Sequence, residues 1–362
     1  MSGPALLLLP GDGIGPEIVT ATRRVMEAAD TAFALGLTFR TASIGFDALA
    51  ATGSTIPDDV IAAAAAADGV VLGPVSHNDY PPVTQGGLNP SGTLRKRLDL
   101  YANIRPAKTP PGVDARPVDL VIFRENTEGF YADRNMAEGP GEFMPEPGIA
   151  LAIRKITARA SRRIAEAAFR HAETRDARHV TAVHKANVLR MSDGLFLAEV
   201  RAVAAEHPGI RYDEVLIDAM AAHLVRDASR YDVIVTTNMY GDILSDLAAE
   251  LSGSLGLAAS LNAGEHRAMA QAQHGSAPDI AGKGIANPAS LIGSAAMLLR
   301  WLAERRAAPA LAAAARAIDT GLAAALTDPG ARTADLGGTA GTMDCAAAVA
   351  AHVTAAGKAF AE

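Results

Sequence analysis

Leu6-Leu7-Leu8-Leu9-Pro10-Gly11-Asp12-Gly13-Ile14-Gly15-Pro16-Glu17 sets an apolar run, a glycine turn and a proline in one short string. Four leucines closed by Pro-Gly-Asp-Gly predict a buried strand that ends in a turn. Pro16 suits the first position of a helix, and Glu17 suits the positive end of the helix dipole. Ile18, Ala21, Val25 and Ala28 then follow at helical spacing. Strand, loop and helix in that order begin an α/β sheet. The same string invites a dinucleotide-binding fingerprint, because glycines let a backbone approach a pyrophosphate at a helix start. Pro16 stands where that fingerprint needs its third glycine, and residues 30 to 35 offer no strand-end acid for a ribose. The expectation is a tight turn entering a helix, and not a Rossmann fold.

Further along, Val60 to Ala67 reads as an Ala-rich helix and Val70 to Leu72 as a buried strand. Residues 73 to 92 form a long Gly/Pro/Asn/Ser segment, and loops of that length in compact domains are often functional. Val118 to Phe123, Val180 to Val183, Val215 to Ile217 and Val233 to Thr237 are short β-branched runs, each expected to be a buried strand. Helical patterns separate them, as in Ala160 to Ala172, where Ile164, Ala167, Ala168 and His171 share one face. Helices are also expected over Asp242 to Leu255, Pro288 to Leu302 and Pro309 to Leu326. Residues 132 to 150, with Gly139-Pro140-Gly141 and Pro145-Glu146-Pro147, lack helical periodicity and read as an irregular arm toward a partner subunit. Composition marks no domain boundary.

At 362 residues the chain has room for two lobes or one large α/β unit. A formal net charge of -7 argues against a nucleic-acid partner, so an anionic substrate would need its own local arginines. Cys345, having no second cysteine to pair with, is expected to be a small buried residue. Ala5 to Leu9 is too short for a signal sequence, and no stretch approaches the ~20 apolar residues of a membrane helix. No membrane association and a cytoplasmic location are the corresponding expectations.

Several residues could carry chemistry. Asp242 and Asp246, four apart at an expected helix start, stack two carboxylates on one face. Two readings are open for them: a solvated acidic helix start, or a cation site that relieves their repulsion. Asp218 follows the apolar run Val215-Leu216-Ile217, and strand ends are where open α/β sheets place ligand groups. Three oxygen ligands suit Mg²⁺ or Mn²⁺ better than Zn²⁺. Arg95, Arg105 and Arg124 either pair with surface acids or converge on substrate carboxylates, for which guanidinium forks are well shaped. Tyr131 and Lys185 could do acid or base work only where neighbouring charge shifts them, and His184 reads as a packed neighbour.

Read together, longer strings carry a specific likeness. Gly11 to Glu17, the run Leu94-Arg95-Lys96-Arg97-Leu98-Asp99-Leu100-Tyr101-Ala102-Asn103-Ile104-Arg105-Pro106, and Arg124-Glu125-Asn126-Thr127-Glu128-Gly129 resemble the β-decarboxylating dehydrogenases, the isocitrate and isopropylmalate dehydrogenase family. His184-Lys185-Ala186-Asn187, Asn238-Met239-Tyr240-Gly241-Asp242-Ile243-Leu244-Ser245-Asp246 and His274-Gly275-Ser276-Ala277-Pro278-Asp279-Ile280-Ala281-Gly282 extend it in the family's order. The resemblance implies a two-lobed isopropylmalate dehydrogenase-like fold with a sheet running through both lobes. Residues 1–100 and 253–362 would form the large lobe, and 101–252 the small one. It implies a homodimer whose partner lends Lys185 and Asp218 to the site, with the arm near 132–150 as an intersubunit clasp.

Carried over by position, Arg95, Arg105 and Arg124 are similar to the arginines that grip a malate core, and Asp218, Asp242 and Asp246 to the metal ligands. Lys185 with Asp218 resembles the group that takes the C2 hydroxyl proton, and Tyr131 the acid that protonates C3. Asn187 resembles a further substrate contact. His274, Gly275, Ser276, Ala277, Asp279 and Asn287 match the adenosine-binding loop. Asp279-Ile280 stands where NADP-using relatives carry lysine and tyrosine, which implies NAD, since a carboxylate accepts from ribose hydroxyls and repels a 2′-phosphate.

The stretch that sets substrate choice in the family, here Leu88-Asn89-Pro90-Ser91-Gly92-Thr93, matches none of its standard versions. Asn89 and Ser91 are a swapped approximation of the isocitrate pattern, and Gly92 replaces the homoisocitrate arginine. Gln271 stands where many NAD-using relatives have glutamate. The flanking strings lean toward the NAD-dependent isocitrate and homoisocitrate branch, while 3-isopropylmalate, tartrate or another alkylmalate stays open. From other classes, a non-catalytic regulatory subunit would typically have lost metal or catalytic residues, and a dicarboxylate carrier would not need the Asp279 loop.

Overall fold

The computed structural model describes residues 3–131, 136, 139 and 141–361. Strands β1 (Ala5–Leu9), β2 (Thr38–Thr41) and β3 (Gly69–Leu72) alternate with helices α1 (Gly15–Phe33), α2 (Phe46–Thr52), α3 (Asp58–Ala66) and α4 (Pro90–Arg97). Then come β4 (Ala102–Lys108), β5 (Asp119–Glu125), the hairpin β6 (Glu142–Glu146) and β7 (Ile149–Ala152), α5 (Ala158–Ala172), β8 (His179–His184) and α6 (Ser192–Glu206). The chain continues through β9 (Arg211–Leu216), α7 (Ile217–Asp227), β10 (Val233–Thr236) and α8 (Asn238–Ser252). It ends with β11 (Leu261–Ala263), β12 (Ala268–Gln271), α9 (Ala289–Arg306), α10 (Pro309–Thr327) and α11 (Thr342–Ala361).

Among the described residues, one ten-stranded sheet runs in the order β2-β1-β3-β12-β11-β4-β5-β10-β8-β9. The α/β class expected from the sequence is therefore present. The first three strands and β12 pair in parallel, as do β5, β10, β8 and β9, and the antiparallel strands β11 and β4 join these two sets. Because side chains alternate across a strand, the apolar runs feed clusters on both faces. Leu6 and Leu8 pack beneath α1, α9, α10 and α11, while Leu7 and Leu9 join Val60 and Ile61 of α3 on the other face. In the second half, Val121, Phe123, Val233 and Val235 meet α5 and α6, whereas Leu120, Ile122 and Ile234 meet α7 and α8.

Several boundaries differ from the sequence expectation for a physical reason. Helix α8 begins at Asn238, so Asp242 lies one turn inside it rather than at its start. Ile217 begins α7 instead of ending a strand, which puts Asp218 in a first helical turn. The irregular arm at 132–150 is partly regular: β6 and β7 pair antiparallel and their residues are exposed, while residues 132–135, 137, 138 and 140 lie outside the described residues. Helix α10 is long and apolar enough to cross a membrane by length and composition, which the sequence expectation overlooked because alanine supplies that character. Its Leu311, Ala314, Ala315 and Ile318 are spent in the core. Cys345 is fully buried as expected, and burial pushes its thiol up to about 11.

Candidate active site

Arg105 and Arg124 sit on the antiparallel neighbours β4 and β5, where Asn103 pairs with Arg124 in register. Helix α8 crosses these strands closely because residue 241 is glycine: a Cβ there would come within 2.6 Å of the Arg124 side chain. The helix thereby brings its first turns against both guanidinium groups. Arg124 donates from Nε to Asn238 Oδ1 at 2.8 Å and from Nη1 to Asp242. Arg105 donates from Nη1 to Asp242 Oδ1 at 3.1 Å, Asp246 Oδ1 at 3.3 Å and Ser245 Oγ at 2.6 Å. Tyr131 donates its hydroxyl to the other oxygen of Asp242 and lies under the Arg124 guanidinium.

Arg95, Arg105 and Arg124 are all buried, so surface pairing is not their role. Burial acts to raise Asp242, but Arg124 and Arg105, with the Tyr131 hydroxyl and Arg95, hold it down to about 2. Asp246, with burial and Asp242 against it, moves up from the usual carboxylate value despite Arg105. Burial and the neighbouring Arg124 bring Arg105 down to about 10, even with two carboxylates in contact. Two acids four apart on α8 are thus compensated by guanidinium groups rather than by the helix end.

Asn103, Ser245 and Asn238 carry no role in the sequence reading, although each lies inside a quoted string. Asn103 Oδ1 accepts from Arg105 Nε at 2.6 Å, and Asn238 passes its Nδ2 to the Glu128 carbonyl at 2.8 Å. Their only sequence signal is position: Asn103 lies two residues before Arg105, Ser245 just before Asp246, and Asn238 four residues before Asp242.

Arg95 comes from α4, one helical turn after Ser91, and both donate to Gln271 Oε1, at 3.1 and 3.0 Å. Asn89 caps the same helix by accepting from Gly92 N at 3.0 Å.

Lys185 and Asp218 sit on the turn after β8 and at the start of α7, with Nζ 2.6 Å from Oδ1. The hydrogen bond from Lys185 lowers the Asp218 carboxyl. Asp193, fully buried and paired with Arg154, accepts the Lys185 backbone N–H at 2.5 Å. Asn187 is exposed on the same turn, and His184 is a packed residue whose Nδ1 accepts from Ala186 N at 3.0 Å. Among the described residues no three His, Cys, Asp or Glu side chains gather as a metal-holding group. A single chain therefore does not bring Asp218 to Asp242 and Asp246.

The glycine turn of residues 11–15 meets protein rather than an empty cradle. Ile14 N donates to the Ser276 carbonyl at 2.8 Å, and a Cβ on Gly13 would come within 2.0 Å of that same oxygen. Ser276 Oγ also lies 2.7 Å from Ser76 Oγ, which ties the long loop after β3 to the segment 274–279. In that segment Gly275 and Asp279 are exposed, and Ala277 takes a left-handed backbone with φ 39°. His274 donates from Nδ1 to the Gly275 carbonyl at 3.0 Å, and burial lowers its pKa. Among the described residues its neutral Nε2 is then a buried acceptor without a hydrogen-bond partner. The Asn287 side chain is engaged at both ends, with Ala289 N and Asp335.

The family model for isocitrate/isopropylmalate dehydrogenase matches residues 5–351. The chain belongs to this family. Its members are metal-dependent oxidative decarboxylating dehydrogenases, so the chain is an oxidoreductase. It is 43% identical over 338 residues to the isocitrate/homoisocitrate dehydrogenase of Thermus thermophilus, covering 93% of this chain and 95% of that one. It is 39% identical over 355 residues to the 3-isopropylmalate dehydrogenase of Methanothermobacter thermautotrophicus, covering 98% and 99%. The crystal structure of isocitrate dehydrogenase from Methylococcus capsulatus superposes with a TM-score of 0.85 at 39% identity, over 98% of this chain and all of that chain.

Proposed function

We propose that this family member carries out NAD-dependent, Mg²⁺- or Mn²⁺-dependent oxidative decarboxylation of a 3-substituted malate, with isocitrate and homoisocitrate as the leading substrates. The observation that carries the reading is the convergence of Arg105 and Arg124 on Asp242 and Asp246, with Tyr131 on the same carboxylate. Buried arginines that lean on carboxylates open to solvent, Asp242 in part and Asp246 largely, are groups of opposite sign sharing one place. A polycarboxylate would take over the guanidinium groups, and a hard cation would take over the aspartates.

The residues fit both absent groups. Asp242 stays ionised, as an oxygen donor to a divalent cation must, and His274 Nε2 is an unpartnered acceptor facing the requirement of an adenine amino group. Asp279 is exposed and carries the negative charge that suits ribose hydroxyls over a 2′-phosphate. When bound, the metal polarises the C2 oxygen and NAD accepts the hydride.

The chain's own residues would do the rest. Arg95, Arg105 and Arg124 hold the malate carboxylates, with Asn187 at the rim. Lys185, in its neutral amine form and with Asp218 beside it, would assist removal of the C2 hydroxyl proton, and Tyr131 would deliver a proton to C3 after CO₂ leaves. Asn89 gives its carbonyl to the helix cap, so its NH₂ would be the group it offers to a substituent, and a donor suits a carboxylate.

Lys185 and Asp218 pair apart from Asp242, and this supports a site completed by a second copy of the chain. The exposed Phe143, Met144, Ile149 and Leu151 of the β6–β7 hairpin support a clasp between copies. The two lobes would be residues 1–100 with 253–362, and 101–252. The test is NADH formation with isocitrate, homoisocitrate, 3-isopropylmalate, tartrate and malate, with Mg²⁺ or Mn²⁺ and again in EDTA. Turnover of a 3-substituted malate that EDTA abolishes is the expected result. Full activity in EDTA, or a higher kcat/KM with NADP, would refute the metal or the cofactor assignment.

A further inference from the structure

Arg154 lies two residues after the exposed strand β7, yet its side chain is only 7% exposed and its guanidinium touches three segments of the chain. Nη1 donates to the fully buried carboxylate of Asp193 and, at 2.9 Å, to Oγ of Ser192, the first residue of α6. Nη2 donates to Thr237 Oγ1 at 3.0 Å, and Thr237 is the residue that precedes α8. The rings of Phe130 and Tyr240 lie against the same guanidinium, with centroids 5.7 and 5.3 Å from Cζ.

Stability does not favour a cation in this place. It stands at the starts of two helices, which are their positive ends. Asp193 compensates, but a buried ion pair returns little beyond the desolvation of its two charges. What the arrangement does is tie together elements that carry chemistry. The other oxygen of Asp193 accepts the Lys185 backbone N–H at 2.5 Å, so it holds the turn that bears Lys185. Phe130 adjoins Tyr131, Tyr240 lies two residues before Asp242, and Thr237 leads into the helix on which Asp242 and Asp246 stand.

Resting on the functional reading above, in which Lys185 serves the site of a second copy, we propose that Arg154 is a positioning residue for two active sites. Through Asp193 it sets the Lys185 turn that the second copy uses. Through Thr237, Phe130 and Tyr240 it sets Tyr131 and the α8 carboxylates of its own copy. One rigid, planar fork spans both, so a displacement of either is felt by the other.

The experiment uses dimers with one working site, refolded from a mixture of two chains. Lys185→Met chains supply the arginines, Tyr131 and the aspartates, and Asp242→Asn chains supply Lys185. Arg154→Met is added to one chain or to the other, NADH formation gives kcat and KM for isocitrate, and thermal unfolding checks that each variant is folded. On the Lys185-supplying chain it is expected to lower kcat at least about tenfold with KM held within about twofold, because the arginines that grip the substrate are on the other chain. On the arginine-supplying chain it is expected to raise KM at least about fivefold, because Tyr131 and α8 lose their support. Arg154→Lys keeps a charge for Asp193 but has one nitrogen for two partners. It should restore most of kcat on the first chain and leave KM raised on the second. An effect from one placement alone, or from neither, would overturn the proposal. If Arg154→Met does not fold, Arg154→Lys decides alone, and an unchanged KM on the arginine-supplying chain would overturn it. No activity in the mixture without Arg154 changes, where refolded wild type recovers, would overturn the shared site and this inference with it. Wild-type inactivity on every 3-substituted malate would instead overturn the functional reading as a whole.

Discussion

Lys185 Nζ, on the turn after β8, lies 2.6 Å from Oδ1 of Asp218 at the start of α7, and the Asp218 side chain is 66% exposed. A charged pair so open to water contributes little to stability, and the role proposed for it is as half of a site that a second copy completes.

That arrangement predicts complementation between subunits. Lys185→Met and Asp242→Asn are each expected to be inactive alone. Unfolded together and refolded as a mixture, they should recover about a quarter of wild-type activity, since half the dimers are mixed and each mixed dimer has one intact site. NADH formation after refolding measures this. No recovery above the separate variants would place all the residues of a site on one chain.

Arg154 and Asp193 form a buried ion pair whose carboxylate also accepts the Lys185 backbone N–H. Asp193→Ala leaves a guanidinium uncompensated between the rings of Phe130 and Tyr240. It should cost about 3–5 kcal/mol in denaturant unfolding. Folded Asp193→Ala should lose kcat more than substrate KM, because Lys185 is displaced while the arginines stay. Asp193→Asn, which keeps one acceptor, should lose less of both.

Asp279 is exposed on the loop that begins at His274. Asp279→Ala is expected to lower kcat/KM for NAD about tenfold, through lost hydrogen bonds of a charged acceptor, and to leave the substrate KM unchanged. Asp279→Lys with Ile280→Tyr should raise kcat/KM for NADP. Steady-state kinetics with both cofactors checks the pair, and an unaltered cofactor preference would remove Asp279 from the binding loop.

Glu128 is buried between Thr157 and Glu125, and its pKa is raised to about 7, by burial first and by the Glu125 charge second. A raised acid holds its proton in the folded chain and loses it in the unfolded chain across roughly pH 4.5 to 7. Its contribution is therefore present at low pH and lost as pH rises through that window. Glu128→Gln should remove this slope, and the wild type should lose about 1–3 kcal/mol relative to it between pH 5 and 8. Urea unfolding at both pH values measures the difference, and parallel profiles would contradict it.

Much of the fold is legible in runs such as Val233 to Thr236 and Leu6 to Leu9, because strands covered on both faces are apolar at every position. Thr38–Thr41 escapes because it is a polar edge strand, and Ala102–Lys108 because Arg105 and Pro106 interrupt its apolar pattern. β11 and β12 are three and four residues long, too short for any period to show. The hairpin at Glu142–Ala152 exposes its apolar residues and so has no internal alternation to read.

The sequence by itself determined the glycine turn, the family's strings and the types of residue available for chemistry, because these depend on local order along the chain. Only the tertiary structure decided what those residues face. It turned the glycine turn onto Ser276, set Arg105 and Arg124 over Asp242, kept Asp218 with Lys185, and brought Arg95 and Ser91 onto Gln271. Each of these depends on partners far apart in the chain, from 33 residues for Lys185 and Asp218 upward, which meet because parallel strands bring their ends together and α8 closes on β5 over a glycine.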